Sequence, residues 1–221
     1  MAMLLLLAPL FSPASAGEPV AVELVLALDT SASVDSREFA LQVDGLAQAF
    51  RDPEIVSAIE NLRPLGAAIA VMQWGGPNDT RMVVPWTKVG SGRESRALAH
   101  VLSRMLRWQN SSVTSIRSAM TGGAALLATP EYEGARRIID ISGDGPDNAS
   151  LDLESVRRAV EAQGITINGL AIESEDGALT GYYRDNVMAG PGCFVVTARD
   201  YADFARAIRE KLLRELRPVQ S

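Results

Sequence analysis

Several features on which enzymes and binding proteins depend are scarce in this sequence. Cys193 is the only cysteine, so no disulfide can form within the chain. His100 is the only histidine, so a Ser-His-Asp triad would have to use it, and no Gly-x-Ser-x-Gly motif supplies the serine. The chain has no run of Lys or Arg and a net charge of −6, which argues against nucleic acid and anionic membranes as partners.

Long hydrophobic runs are absent after the N-terminus, so we expect a soluble mature chain without a membrane span. The N-terminus has an apolar run at residues 3–10, shorter than the roughly 20 residues that a span needs. Ala14-Ser15-Ala16 follows with the small-x-small pattern of a signal-peptide cleavage site. These features predict a signal peptide over residues 1–16 and a protein that is periplasmic or secreted. A buried N-terminal strand or helix is the alternative.

What is present is the composition and patterning of one globular domain. Hydrophobic residues make up 47% and charged residues 22% of the 221 residues, and strand and helix patterns alternate without a linker or repeat. Strands are predicted at residues 20–28, 67–74, 80–84, 137–142, 165–172 and 194–197, and helices at 35–50, 93–107, 115–128, 151–163 and 200–216. This alternation predicts an α/β domain over residues 17–221, with a doubly wound, mostly parallel sheet and helices on both faces. Residues 80–84 are predicted as one antiparallel edge strand that ends at Pro85.

Side chains with oxygen atoms stand at alternate positions after the first predicted strand. Asp29, Ser31 and Ser33 lie there, at the carboxyl end of a strand, where open α/β sheets bind their ligands. Thr114 precedes a later helix and Asp144 follows another strand, so both belong to the same edge. Carboxylate and hydroxyl oxygens are the hard ligands that Mg²⁺ prefers, in sets of six that usually include water. The spacing therefore predicts a magnesium site with at least one position open to an outside ligand.

These residues resemble the metal-ion-dependent adhesion site, or MIDAS, of the von Willebrand factor type A (VWA) domain family. Asp29-x-Ser31-x-Ser33 resembles the MIDAS motif itself, Thr114-Ser115-Ile116 the family's threonine loop, and Asp144-Gly145 its Asp-Gly loop. The three occur in the family's order, and the resemblance extends over nearly all of the chain after residue 20. The sequence departs from the pattern at Gly143, where the family often has Thr.

The resemblance implies a metal-dependent protein-binding module of the adhesion type rather than an enzyme. It implies Mg²⁺ or Mn²⁺ as cofactor, and an Asp or Glu carboxylate of a partner protein as the ligand that completes the metal's shell. It also directs attention to the last helix, at 200–216, because this helix slides in some family members when the ligand arrives. The alternative is a Mg²⁺-assisted phosphohydrolase with Asp29 as nucleophile, against which Ser31 stands where a second acid would be needed.

The candidate ligands also have structural interpretations. The three oxygens that follow the first strand could form a turn and cap the next helix without any metal. Thr114 and Ser115 are equal candidates for capping the helix that they precede, so either of them could be the metal ligand. Asp140 lies inside its predicted strand and could be a buried acid paired with an Arg. Asp147 and Asn148 are interpreted as turn residues with at most a minor supporting role.

Four further residues are candidate partner contacts because they belong to the same edge of the sheet. Trp74 ends the second predicted strand, and it either packs at the sheet rim or borders the site. Tyr182, Tyr183 and Arg184 lie in the long connection at 173–192, and Tyr and Arg are enriched in interface hot spots. A short helix packed for stability is an equal alternative for these three residues.

Overall fold

The computed structural model describes residues 17–108, 111–129, 131–149, 151–173 and 177–217. The elements in chain order are β1 (Glu18–Asp29), α1 (Ser36–Ala49), α2 (Pro53–Glu60), β2 (Ala67–Trp74), β3 (Thr80–Val89), α3 (Gly92–Leu102), α4 (Ile116–Leu127), β4 (Tyr132–Gly143), α5 (Leu153–Glu161), β5 (Ile165–Ile172), α6 (Leu179–Asn186), β6 (Val195–Ala198), a 3₁₀ turn (Tyr201–Asp203) and α7 (Phe204–Leu216). The predicted signal peptide, residues 1–16, lies outside the described residues. None of the helices in the described ranges is long and apolar enough to cross a membrane.

The strands form one sheet in the order β3-β2-β1-β4-β5-β6. β1 pairs in parallel with β2 and β4, and the parallel pairing continues through β5 to β6. β3 pairs antiparallel with β2 at one edge. The prediction of a mostly parallel α/β sheet with one antiparallel edge strand is therefore confirmed.

Alternate residues of β1 enter two separate hydrophobic cores. Leu24 and Leu26 belong to the core that is completed by α1, α2, α3 and α7. Val25 and Ala27 belong to the core on the opposite face, which is completed by α4, α5 and α6. Because helices cover both faces, β1 has no solvent side along most of its length and is wholly apolar from Leu24 to Leu28. This burial fixes the position of β1, whose carboxyl end carries the first candidate ligand.

Some boundaries differ from the sequence prediction. β3 continues past Pro85 to Val89, because Pro is tolerated on an edge strand and the ladder passes from Val84 to Thr87 without pairing Pro85. The helix predicted at 93–107 ends at Leu102. The connection at 173–192 contains α6, as the structural alternative for that segment stated.

α2 is absent from the sequence prediction, although two local signals mark its start. Pro53 occupies the first turn, where its missing N–H costs nothing. The side chain of Asp52 accepts hydrogen bonds from the N–H groups of Glu54 and Ile55, as an N-cap residue does.

Candidate metal centre

The carboxyl ends of β1 and β4 meet the start of α4 at one edge of the sheet. Asp29 is the last residue of β1, and the preceding Leu28 pairs with Ser142 of β4. Asp144 therefore follows β4 directly beside the end of β1. Thr114 lies just before α4, whose N-cap is Ser115. The parallel register thus collects residues that are far apart in sequence at the same edge.

Hydrogen bonds link the five candidate ligands into one group. Ser33 Oγ donates to Asp144 Oδ1 at 2.8 Å. Ser31 Oγ lies 3.2 Å from Ser33 Oγ and accepts a hydrogen bond from Thr114 Oγ1 at 3.3 Å. Asp29 Oδ1 accepts one from the Ser31 N–H at 2.7 Å. The structure therefore brings together every residue that the sequence analysis nominated as a ligand.

The two carboxylates of this group have no countercharge among the described residues. Asp29 is fully buried, and neither it nor Asp144 forms an ion pair with a Lys, Arg or His among the described residues. Burial raises the pKa of Asp29 to about 7, and the charge of Asp144 contributes to the rise. Asp29 Oδ2 is buried and has no hydrogen-bond partner in the described part of the chain. A buried carboxylate in this state is costly unless a cation or donor compensates it, so the group fits a bound cation.

The donor set is one of hard oxygens. Within the described residues no group of three or more His, Cys, Asp or Glu could hold a metal, so a metal here depends on hydroxyls as well as carboxylates. The group supplies two carboxylates and the three hydroxyls of Ser31, Ser33 and Thr114. Such a set suits Mg²⁺ or Mn²⁺, which accept oxygen ligands and retain water.

The loop after β1 is held mainly through its backbone, so the hydroxyls of Ser31 and Ser33 can face the centre. Thr30 donates to the Trp74 carbonyl through both its N–H (2.8 Å) and its hydroxyl (3.1 Å). Arg107 donates to the carbonyls of Thr30 (3.0 Å) and Ser31 (2.8 Å), and Gln42 donates to that of Asp29 (3.3 Å). Sequence reasoning missed Arg107 and Gln42, because no local pattern shows which distant side chain caps a loop carbonyl.

Helix capping does not use the candidate ligands. α1 is capped by Asp35, whose side chain accepts from the N–H groups of Arg37 and Glu38. α4 is capped by Ser115, whose hydroxyl accepts from the Ser118 N–H. The hydroxyl of Thr114 instead donates to Ser31 Oγ, which favours Thr114 as the ligand of the two neighbouring candidates.

The threonine loop and the Asp-Gly loop are tied to each other. The Thr114 N–H donates to Asn148 Oδ1 at 2.8 Å, and the Asn148 N–H donates back to the Thr114 carbonyl at 3.0 Å. Asp147 Oδ2 accepts from the Arg117 N–H at 3.2 Å, in the first turn of α4. Asp147 and Asn148 are therefore more than turn residues, since they set the position of Thr114 relative to Asp144.

A family model described as a protein of unknown function (DUF1194) matches residues 19–220. The chain belongs to this family. No curated protein matches the DUF1194 chain. Solved structures match it as VWA domains, so the VWA fold that the motifs predicted is confirmed.

Three of these structures show the extent of the likeness. Proximal thread matrix protein 1 from the mussel byssus, with a zinc-occupied MIDAS motif, has a TM-score of 0.65 at 15% identity over 91% of this chain and 49% of that one. A von Willebrand factor type A structure from Catenulispora acidiphila has a TM-score of 0.59 at 18% identity, over 89% of this chain and 43% of that one. The vWF domain of the type V pili tip protein Mfa5 from Porphyromonas gingivalis has a TM-score of 0.59 at 10% identity, over 91% of this chain and 98% of that one. The DUF1194 chain thus spans about half the length of the mussel protein that it matches.

The candidate partner contacts of the DUF1194 protein separate into two pairs. Trp74 and Tyr183 are fully buried, so their prediction as partner contacts is wrong. α6 turns Tyr183 inward over Gly169 of β5, where a Cβ atom would lie only 2.7 Å from the ring. Tyr182 is half-buried, and its hydroxyl accepts from the Asp147 N–H at 3.1 Å. Arg184 is exposed on α6 and stays a prediction.

Asp140 does not join the centre. Its carboxylate forms a 2.7 Å ion pair with Lys211 of α7, and both side chains are buried. The interpretation of Asp140 as a paired, buried acid is correct in its burial, but the partner is a lysine where an arginine was expected. The sequence could not identify this partner, because Lys211 lies in a helix about 70 residues further along the chain.

A surface cleft opens beside Asp144. It has a volume of about 400 Å³, and its lining includes Glu38, Glu173 and Tyr201. Ser33, which donates to Asp144, is exposed, whereas Asp29 and Ser31 are buried. An outside ligand would therefore reach the centre from the side of Ser33 and Asp144.

Proposed function

We propose that this DUF1194 protein is a metal-dependent protein-binding module. Asp29, Ser31, Ser33, Thr114 and Asp144 would hold one Mg²⁺ or Mn²⁺ ion, directly or through water. The bound ion would supply a positive centre that attracts an anionic oxygen, and an Asp or Glu carboxylate of a partner protein would complete its shell. The exposed side at Ser33 and Asp144 gives such a carboxylate its approach.

One observation carries the proposal. Two carboxylates without a countercharge share a hydrogen-bonded group with three hydroxyls, and one buried carboxylate oxygen of Asp29 has no partner in the described part of the chain. Asp35 and Ser115 perform the helix capping that would otherwise explain these oxygens. The zinc-occupied MIDAS motif of the mussel byssus protein supports a divalent metal at this place in the fold.

Metal binding is tested by calorimetry and thermal melting with Mg²⁺, Mn²⁺ and EDTA. We expect Mg²⁺ to raise the melting temperature of the wild type, because a ligand at 100 times its Kd adds about 2.7 kcal/mol to the free energy of unfolding. Asp144→Asn and Ser33→Ala should weaken binding, whereas the matched control Ser36→Ala, an exposed serine at the start of α1, should not. Equal Mg²⁺ binding by Asp144→Asn and the wild type would refute the ligand assignment.

Partner binding is tested by a crosslinking pull-down from the native cell envelope. The bait is the wild type with Mg²⁺, the wild type with EDTA, or Asp144→Asn with Mg²⁺. A partner that appears only with the first bait supports the module, and its acidic residues can then be changed to amides one by one. Turnover of a generic phosphate ester that is abolished in Asp29→Asn would favour a metal-assisted hydrolase instead.

We also propose that the chain is exported and that residues 1–16 are removed. The apolar run followed by Ala14-Ser15-Ala16 supports this, as does the matching of pilus and adhesin structures by this fold. Mass spectrometry of protein from the native organism should find Gly17 at or near the new N-terminus. An intact Met1 on cytoplasmic protein would contradict export.

A further inference from the structure

A buried tyrosine lies against the metal centre beside Gly143. Tyr183 is fully buried, and its hydroxyl has no hydrogen-bond partner in the described part of the chain. Asp29 Oδ2 is also buried and has no hydrogen-bond partner among the described residues. Most buried polar atoms have a partner, so a donor and an acceptor that are both buried and unpaired at one place require an explanation.

Both unpaired oxygens lie close to Gly143. A Cβ atom on Gly143 would stand 2.6 Å from the Tyr183 hydroxyl and 3.0 Å from Asp29 Oδ2. Trp74 Cζ2 lies 3.2 Å from the same point. No residue with a side chain fits there unless its neighbours move, so Gly143 is what allows the tyrosine to approach the aspartate.

We propose that Tyr183 is a positioning residue for the Asp29 carboxylate, and that its hydroxyl donates a hydrogen bond to Asp29 Oδ2 when the metal is bound. The proposal rests on the metal-binding function proposed above. Asp29 Oδ1 is already held by the Ser31 N–H at 2.7 Å, so Oδ2 is the oxygen whose direction is still open. A bond to Oδ2 would hold the carboxylate in one orientation and compensate part of its burial.

This arrangement explains both the glycine at position 143 and the burial of Tyr183. Gly143 departs from the threonine that the VWA pattern often has before the Asp-Gly loop, and the hydroxyl of Tyr183 now occupies the space beside that backbone. The phenol of Tyr183 is fully buried and supplies an O–H donor at this place. Tyr183 is too deeply buried to contact a partner, but it is well placed to orient Asp29.

The first test compares two tyrosine-to-phenylalanine variants by calorimetry with Mg²⁺ and Mn²⁺. Tyr183→Phe removes only the hydroxyl, and we expect its metal affinity to fall about tenfold or more, the range for residues that orient a ligand. Tyr132→Phe is the matched control, because Tyr132 is half-buried at the opposite end of β4. Equal affinity of Tyr183→Phe and the wild type would overturn the inference alone, whereas a wild type that binds no metal would overturn the proposed function too.

The second test compares melting temperatures with saturating Mg²⁺ and with EDTA. Because the hydrogen bond is proposed for the metal-bound state, Tyr183→Phe should lower the melting temperature more with Mg²⁺ than with EDTA. Tyr132→Phe should shift it equally in the two conditions. Equal shifts of Tyr183→Phe with Mg²⁺ and with EDTA would overturn the inference.

A third variant separates the hydroxyl from general packing. Gly143→Ala places a methyl group against the Tyr183 hydroxyl and should weaken metal binding. In Gly143→Ala/Tyr183→Phe the closest clash is removed together with the oxygen, so its metal affinity should be no lower than that of Gly143→Ala. A double variant that binds another tenfold more weakly would show that the hydroxyl acts elsewhere than at Gly143.

Discussion

At the scale of single residues, Asn148 shows how the centre depends on groups outside the ligand set. Its side chain accepts from the Thr114 N–H, and its own N–H donates to the Thr114 carbonyl. The pair of bonds fixes one loop against another, and neither bond involves a candidate ligand atom. The position of the Thr114 hydroxyl is therefore set partly by a residue that a metal-binding motif does not include.

We predict that Asn148→Ala lowers the free energy of unfolding by about 1–3 kcal/mol, because it leaves the Thr114 N–H without its acceptor. It should also weaken Mg²⁺ binding, since Thr114 loses its support. Urea denaturation and calorimetry measure the two effects. Asn61→Ala is the control, because Asn61 is exposed at the end of α2 and its side chain makes no hydrogen bond within the described residues. Equal losses in both variants would contradict the role given to Asn148.

At the scale of elements, α1 and α7 pack closely through a glycine. A Cβ atom on Gly45 would lie 2.8 Å from the Phe204 ring and 3.1 Å from the Ala205 Cα atom. Since one of these contacts is backbone, the neighbouring helix would have to move to accept a side chain. The close contact joins α1, which follows the loop after β1, to α7.

We predict opposite effects from one substitution made in two helices. Gly45→Ala should destabilise the protein by about 1–3 kcal/mol, because overpacking outweighs the helical preference for Ala. Gly181→Ala in α6, where no atom lies within 4 Å of a new Cβ, should stabilise it by up to about 1 kcal/mol. Chemical denaturation of both variants measures the effects, and a stabilised Gly45→Ala would contradict the close packing.

At the scale of the whole molecule, a buried charged group joins the sheet to α7. Lys211 Nζ lies 2.7 Å from Asp140 Oδ1 of β4 and 2.9 Å from Glu215 Oε1, and Asn168 of β5 donates to the same Glu215 oxygen at 2.8 Å. Burial raises the pKa of Glu215 above its usual value of 4.5; Lys211 opposes the rise and Asp140 adds to it. This buried set makes the stability of the fold depend on pH.

We predict that the free energy of unfolding contains a contribution from Glu215 that decreases as pH rises above about 4.5. The unfolded chain loses this proton near that pH while the folded chain retains it to higher pH, so the folded state binds more protons there. The slope is limited to about 1.4 kcal/mol per pH unit for one proton. Denaturation in EDTA from pH 4.5 to 8 should show a steeper decrease in the wild type than in Glu215→Gln, which lacks this contribution.

The control for this slope is Glu210→Gln, which changes an exposed glutamate on the same helix. It should keep the wild-type dependence on pH, because Glu210 is paired at the surface with Arg206. Other groups that titrate in this range, Asp29 among them, are common to all three proteins. A wild-type slope that persists unchanged in Glu215→Gln would show that the proton is held elsewhere.

The sequence by itself determined the fold class and the candidate ligands, because both follow from local patterns joined by one general rule. Apolar runs such as those of β1 and β5 identify strands that are buried on both faces, and parallel strands end at the same edge of a sheet. Asp29 and Asp144 could therefore be assigned to one edge without any knowledge of their distance.

Only the tertiary structure decided which side chains turn inward and what they meet. Tyr182 and Tyr183 are adjacent in sequence, yet one is half-buried and the other fully buried beneath the centre. The lysine partner of Asp140 and the loop contacts of Arg107 come from segments distant in sequence. Such choices depend on the packing of α6, α7 and the loops against the sheet, and no periodicity within a single segment encodes the surface that it will face.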